Sequence, residues 1–170
     1  MRYILIICIG IFLMTACTSE EESPEESEEQ IASYVSPPSI SFSPGGNDGR
    51  NQLMADKHCW APSGENCEVN PSDPSEVVLG VQTRTYQPSE EIDMSFRLVD
   101  DPRIGNPDEI NIMYYSTSDE LVETHSETLT FGDTFPMLET EGRYNIVAQL
   151  IWDDEIYGES YQVLPVLIRE

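Results

Sequence analysis

For residues 77–170 the sequence predicts an all-β sandwich, and three observations carry that prediction. Short runs alternate apolar and polar residues, as a half-buried strand must. Turn-forming residues separate those runs, and no stretch sustains a helical period. About seven such strands in this length are enough for two packed sheets.

The strands can be taken in order. Residues 77–83 are rich in apolar and β-branched side chains. Ile92, Met94, Phe96 and Leu98 alternate with Asp93, Ser95 and Arg97, the clearest period-two run in the chain. Residues 110–115 follow, then weaker runs at Leu121-Val122 and at 129–131. Tyr144, Ile146, Ala148, Leu150 and Trp152 form one face of a long strand whose other face shows Asn145 and Gln149. Asp153-Asp154-Glu155 turns the chain and 161–168 closes it. Pro165 has no amide proton to give, so the last strand is expected at an edge or a bulge there.

One local motif sharpens the architecture. Leu138-Glu139-Thr140-Glu141-Gly142-Arg143-Tyr144 resembles the tyrosine corner of immunoglobulin-like sandwiches, with acid-Gly-x-Tyr opening the sixth strand. The resemblance implies a Tyr144 hydroxyl returned to the backbone a few residues upstream and a buried ring. Ile146 stands at the place of the second cysteine of antibody domains, and Phe96 about where the first would fall. The core tryptophan of the third strand is missing too. The likeness is therefore to the architecture, with an apolar plug instead of an inter-sheet disulfide.

At the other end, Met1-Arg2 is followed by residues 3–14, apolar apart from a glycine. Such a run is too short for a bilayer-spanning helix of about twenty residues and fits the apolar region of a signal peptide. Met14-Thr15-Ala16-Cys17 closes it and resembles the lipobox of bacterial lipoproteins, with methionine where that family prefers leucine. The resemblance implies removal of residues 1–16 and a diacylglycerol on the Cys17 sulfur. The mature protein would then sit on the extracytoplasmic face of the cell membrane, held by lipid. Residues 17–30 carry the anchor and a run of glutamates with serines and Pro24, which repel one another and bury nothing. That composition predicts a disordered spacer.

Residues 31–76 read as an irregular preface to the sandwich, with prolines at 37, 38, 44, 62, 71 and 74. Pro44-Gly45-Gly46-Asn47-Asp48-Gly49 predicts turns; it lacks the lysine-hydroxyl pair of a phosphate loop. Residues 40–43 are expected as a short strand. Cys59 and Cys67 are an even pair in an oxidising compartment, which predicts a disulfide closing a short loop and contributing roughly 2–3 kcal/mol. A metal site on the two cysteines would need further ligands, and only His58 is near. His58-Cys59-Trp60 with Cys67 resembles a segment of small secreted proteins of Gram-positive bacteria, which implies kinship and no stated activity.

Charge narrows the partners. The chain has 8 basic and 32 acidic residues, a net charge of −24, and the leader takes Arg2 with it. Such a surface excludes nucleic acid and electrostatic adsorption to anionic lipid heads. Lys57 is the only lysine. Carboxylates keep their charge at high external pH, so a salty or alkaline habitat is an expectation; full folding and solubility in low-salt neutral buffer counts against it.

Chemistry-bearing motifs are scarce. His58 and His125 lie far apart, and neither Gly-x-Ser-x-Gly, HExxH nor paired CxxC occurs. His125, between Thr124 and Ser126, reads as solvated. No catalytic residue and no enzyme is predicted. If the strands alternate as above, Asp100-Asp101 and Asp153-Asp154 fall at one end of the sandwich, where calcium, which takes six to eight oxygens, is the one cofactor to consider. Trp60 beside the disulfide is the first candidate for meeting a partner protein or glycan, unless it packs on the bridge or the sandwich. Tyr114, Tyr115 and Tyr157 come next, with alternate strand residues pointing inward. The expected function is a non-catalytic binding or regulatory module at the cell envelope, by analogy of fold. The alternatives are a protease inhibitor presenting Ala61 to Asn66, and a calcium-binding adhesion module.

Overall fold

The computed structural model describes residues 36–44, 50–62, 65, 67–97, 104–125, 128–130, 132–154 and 156–170. The leader, Cys17, the glutamate-rich spacer, the turn at 45–49, and Asp100 and Asp101 lie outside the described residues. The described elements are β1 (Ser39–Pro44), β2 (Asn51–Gln52), β3 (Met54–Pro62), a single helical turn α1 (Pro74–Val77), β4 (Arg84–Tyr86), β5 (Glu91–Arg97), β6 (Glu109–Ser116), β7 (Leu121–Thr124), β8 (Thr134–Pro136), β9 (Gly142–Asp153) and β10 (Ile156–Ile168). They form two antiparallel sheets, a four-stranded one in the order β2-β1-β5-β8 and a six-stranded one in the order β3-β10-β9-β6-β7. The short β4 completes the larger sheet, adding in parallel to β10.

Alternation explains why these strands pair with one face inward. Ile110, Ile112 and Tyr114 of β6 and Tyr144, Ile146, Ala148, Leu150 and Trp152 of β9 are all buried. They meet Ile40, Phe42, Ile92 and Phe135 of the smaller sheet in one apolar core. Phe42 and Phe135 pack edge to face at 5.1 Å. At one end Trp60 and Trp152 lie 4.8 Å apart, and the Trp152 indole donates to the Gly105 carbonyl at 3.1 Å. Gly158 is the residue that admits this pair: a Cβ there would lie 2.1 Å from Trp60 Cζ3.

Polar groups stitch the sheets together. The Tyr114 hydroxyl donates to the Pro136 carbonyl at 3.2 Å, from β6 to β8. Asn51 Nδ2 donates to the Tyr86 hydroxyl at 2.8 Å, from β2 to β4. Gln162 of β10 is 1 % exposed; its Oε1 accepts from the Ile40 amide at 3.0 Å and its Nε2 donates to the Pro38 carbonyl at 2.6 Å. A buried amide is stable only when both ends are paired, and here both are.

The tyrosine corner forms as its motif predicts: the Tyr144 hydroxyl donates to the Thr140 carbonyl at 3.3 Å. Gly142 is required for space, since a Cβ would meet the Tyr144 ring and hydroxyl at 2.9–3.0 Å.

Three expectations need correction. The region 31–76 is not merely an irregular preface, because it supplies β1 to the smaller sheet and β3 to the larger. β3 is hard to read because it is an edge strand with only Trp60 and Ala61 buried among its described side chains, so it needs no alternation. Residues 77–83 are not a strand. Asp73-Pro74-Ser75-Glu76 starts a helix, with Pro74 at its first position and Glu76 in its first turn, and Gly80 ends the turn at φ +79°. Pro165, finally, lies within a central strand, paired with Asn145. It falls where β10 changes neighbours on its other side, from β3 at Val163 to β4 at Val166. No amide proton is needed in that gap.

Candidate functional site

The face of the six-stranded sheet turned away from the core is where the described residues assemble something other than packing. Register dictates it. Asn111 of β6 pairs with Gln149 of β9, which pairs with Tyr161 of β10, so one row crosses three strands. Because neighbours on a strand point to opposite faces, these three lie on the outer surface with Glu159, two residues before Tyr161. Gln149 Nε2 donates to the Tyr161 hydroxyl at 2.9 Å and to Glu159 Oε1 at 2.5 Å. The Tyr161 hydroxyl in turn donates to the same oxygen of Glu159 at 2.5 Å. Asn111 Nδ2 reaches Gln149 Oε1 at 3.4 Å. Burial pushes the Tyr161 phenol above its ordinary value, and its hydrogen bond to Glu159 and that carboxylate's charge push the same way. Tyr161 is thus held as a donor and Glu159 as an acceptor.

A strap made of residues 67–77 crosses this face and is fixed along its length. The Cys59–Cys67 disulfide ties it to β3, as expected from the even pair. Lys57 Nζ donates to the Asn70 carbonyl at 2.9 Å, and the Ser72 amide to Asp56 Oδ2 at 2.8 Å. Asp56 and Lys57 reach the strap from a bulge, where β3 slips register opposite β10 between Ser160 and Gln162. At the far end Asp73 leaves the helix start uncapped by its own side chain. Asp119, in the left-handed turn between β6 and β7, replaces it by accepting from the Ser75 amide at 2.8 Å and the Ser75 hydroxyl at 2.6 Å.

Strap and sheet enclose two hollows. An open trench of about 690 Å³ lies beside Cys67 to Asn70, with Tyr157 and Glu159 opposite. Its size falls in the ~300–1,000 Å³ range of small-ligand clefts. A recess of about 150 Å³ under Pro71 to Pro74 has Val147 and Val163 in its lining, with Tyr115 and Tyr161 beside them. Tyr161 lines the recess, and its hydrogen-bond partner Glu159 lines the trench.

No protein-family model matches this chain, and no curated protein matches it.

Of the sequence candidates, Tyr115 and Tyr157 face outward and line the recess and the trench respectively. Trp60 and Tyr114 are core residues, 5 % and 1 % exposed, so neither offers a ring face to a partner; Trp60 packs against Trp152, the alternative placed beside its binding role. Ala61 and Pro62, the first residues of the supposed inhibitory loop, are still paired with Tyr157 and Ile156. His58 is on β3, His125 just past β7, and β3 and β7 are opposite edges of the larger sheet. Asp153 and Asp154 are exposed in the β9–β10 hairpin, where the Asp153 amide donates to Asp108 at 2.7 Å. Among the described residues no group of three or more His, Cys, Asp or Glu is placed to hold a metal ion. Asn111, Glu159 and Tyr161 were not nominated from sequence. Their signal was the polar position of alternating runs, which becomes informative only once three strands are in register.

Proposed function

We propose that this chain is a lipid-anchored, extracytoplasmic binding module of immunoglobulin-like architecture, which meets its partner with the outer face of the six-stranded sheet and performs no catalysis. One observation carries the binding reading: Asn111, Gln149, Tyr161 and Glu159 hold one another in fixed orientations beside an open trench. Solubility alone would ask only for scattered charge on that face. Polar groups already locked by their neighbours lose little freedom when a ligand arrives, which is how a rigid surface gains affinity.

The anchor rests on Met14-Thr15-Ala16-Cys17 and the glutamate-rich spacer behind it. The architecture is supported by two packed sheets and the Tyr144 corner. The two histidines stand at opposite sheet edges and so do not form a shared acid–base pair.

The test is a photo-crosslinking amino acid placed at Tyr157 in living cells, with Glu91 on the other sheet as control. Capture at 157 and none at 91 is expected, from a protein whose mature N-terminus is a diacylglyceryl Cys17 by mass spectrometry. Equal capture at both positions would remove the face from the proposal. A bare Cys17 sulfur, or residues 1–16 still attached, would remove the anchor.

A further inference from the structure

We infer that the trench between Cys67–Asn70 and Tyr157–Glu159 binds a neutral, hydroxyl-rich saccharide. This rests on the binding reading above and names the ligand class. Charge selects it first. Among the described residues, two glutamates and no cation line the trench, in a chain of net charge −24. Lys57, the chain's one lysine, turns its ammonium to the Asn70 carbonyl. A phosphate- or carboxylate-bearing polymer entering here would meet like charge without compensation.

The hydrogen-bonding groups select it next. Glu159 Oε1 already accepts two bonds, from Gln149 and Tyr161, and its Oε2 accepts none of these. The Tyr157 hydroxyl makes no hydrogen bond within the described residues, and Asn70 brings an amide that both donates and accepts. A sugar hydroxyl is likewise donor and acceptor, so one ring can satisfy a carboxylate oxygen, a phenol and an amide together. An ammonium group can only donate. At Glu159 it would also find a carboxylate oxygen that already accepts two bonds.

Shape is the third argument. The trench is open to solvent, and Tyr157 gives it an apolar ring with a polar tip, matched to a sugar's CH face and its rim of hydroxyls. The disulfide fixes one wall of the trench, because it ties the lining residue Cys67 to Cys59 on β3.

The experiment is calorimetric titration of the lipidated mature protein in detergent. The probes are neutral hexose and N-acetylhexosamine tetrasaccharides, polyphosphate and oligolysine. At least one neutral tetrasaccharide is expected to bind at millimolar concentration or below, and polyphosphate not at all. Tyr157→Ala and Glu159→Ala should each weaken that binding about tenfold or more, Glu91→Ala not measurably. Tyr157→Phe keeps the ring and should lose less, which guards against a variant that merely misfolds. Failure of every neutral tetrasaccharide overturns the inference, and so does binding that ignores both trench substitutions. Oligolysine binding that depends on Tyr157 also overturns it, yet leaves the outer face as a binding surface. Loss of capture at position 157 in cells would remove the underlying reading as well.

Discussion

The two faces of the six-stranded sheet share one backbone and answer to different demands. Toward the smaller sheet, β9 presents Tyr144, Ile146, Ala148, Leu150 and Trp152, all buried. Toward the strap it presents Gln149 between Val147 and Ile151, and Gln149 bonds sideways to β6 and β10. The inner face is held by apolar area removed from water, which is non-directional and additive. The outer face is held by directed bonds among polar groups, which contribute little net stability but fix geometry. Substitutions on the inner face should therefore change stability, and those on the outer face should change recognition.

The largest expected effect is on the inner face. Trp152→Ala removes a ring packed on Trp60 and leaves the Gly105 carbonyl unpaired, and should cost about 3–5 kcal/mol by denaturant unfolding. Replacing Cys59 and Cys67 by alanine together should cost about 2–3 kcal/mol and make the strap the first segment to exchange its amide protons. A Cβ at Gly158 collides with Trp60, so Gly158→Ala should destabilise by about 1–3 kcal/mol although it only adds a methyl group. An unchanged melting temperature in that variant would mean that Trp60 is not seated over β10.

Alkali offers a graded version of the same contrast. Burial raises the Tyr114 and Tyr86 phenols above their ordinary 10.0, and burial followed by Glu159 raises Tyr161. In the folded chain each gives up its proton only at a pH above that at which the unfolded chain ionises, near 10. Their contribution is therefore intact below about pH 10 and is lost as pH climbs above it, by up to about 1.4 kcal/mol per pH unit for a fully buried tyrosine. The partly exposed Tyr161 contributes less. Melting temperature should fall above pH 10, and Tyr114→Phe should flatten the fall. The smallest effect belongs to the outer face: Gln149→Ala should move stability by no more than about 0.5 kcal/mol while weakening saccharide binding.

Sequence reading succeeded where one physical rule acted alone. The run from Tyr144 to Trp152 gave β9 because alternation is enforced along its entire inner face. The Tyr144 corner was legible because a glycine and a tyrosine at fixed spacing settle it locally. β3 was not legible, since an edge strand with a bulge keeps neither alternation nor apolar content. Residues 77–83 were misread because Val77, Val78 and Val81 invite a strand, while the helical turn that takes up Val77 is completed at its start by Asp119, 44 residues from Ser75. The Gln149 array was out of reach for a similar reason: its members come from strands whose partners the sequence does not name.

Gln162 carries one more consequence. By gripping both Pro38 and Ile40 it fastens the first described stretch of chain to the longest strand of the opposite sheet. Were the module held by its N-terminus as proposed, tension from the tether would arrive at this point. It would load both sheets in shear instead of peeling β1 from β5 one rung at a time. Gln162→Leu would leave the Ile40 amide unpaired and should lower the force at which single molecules unravel.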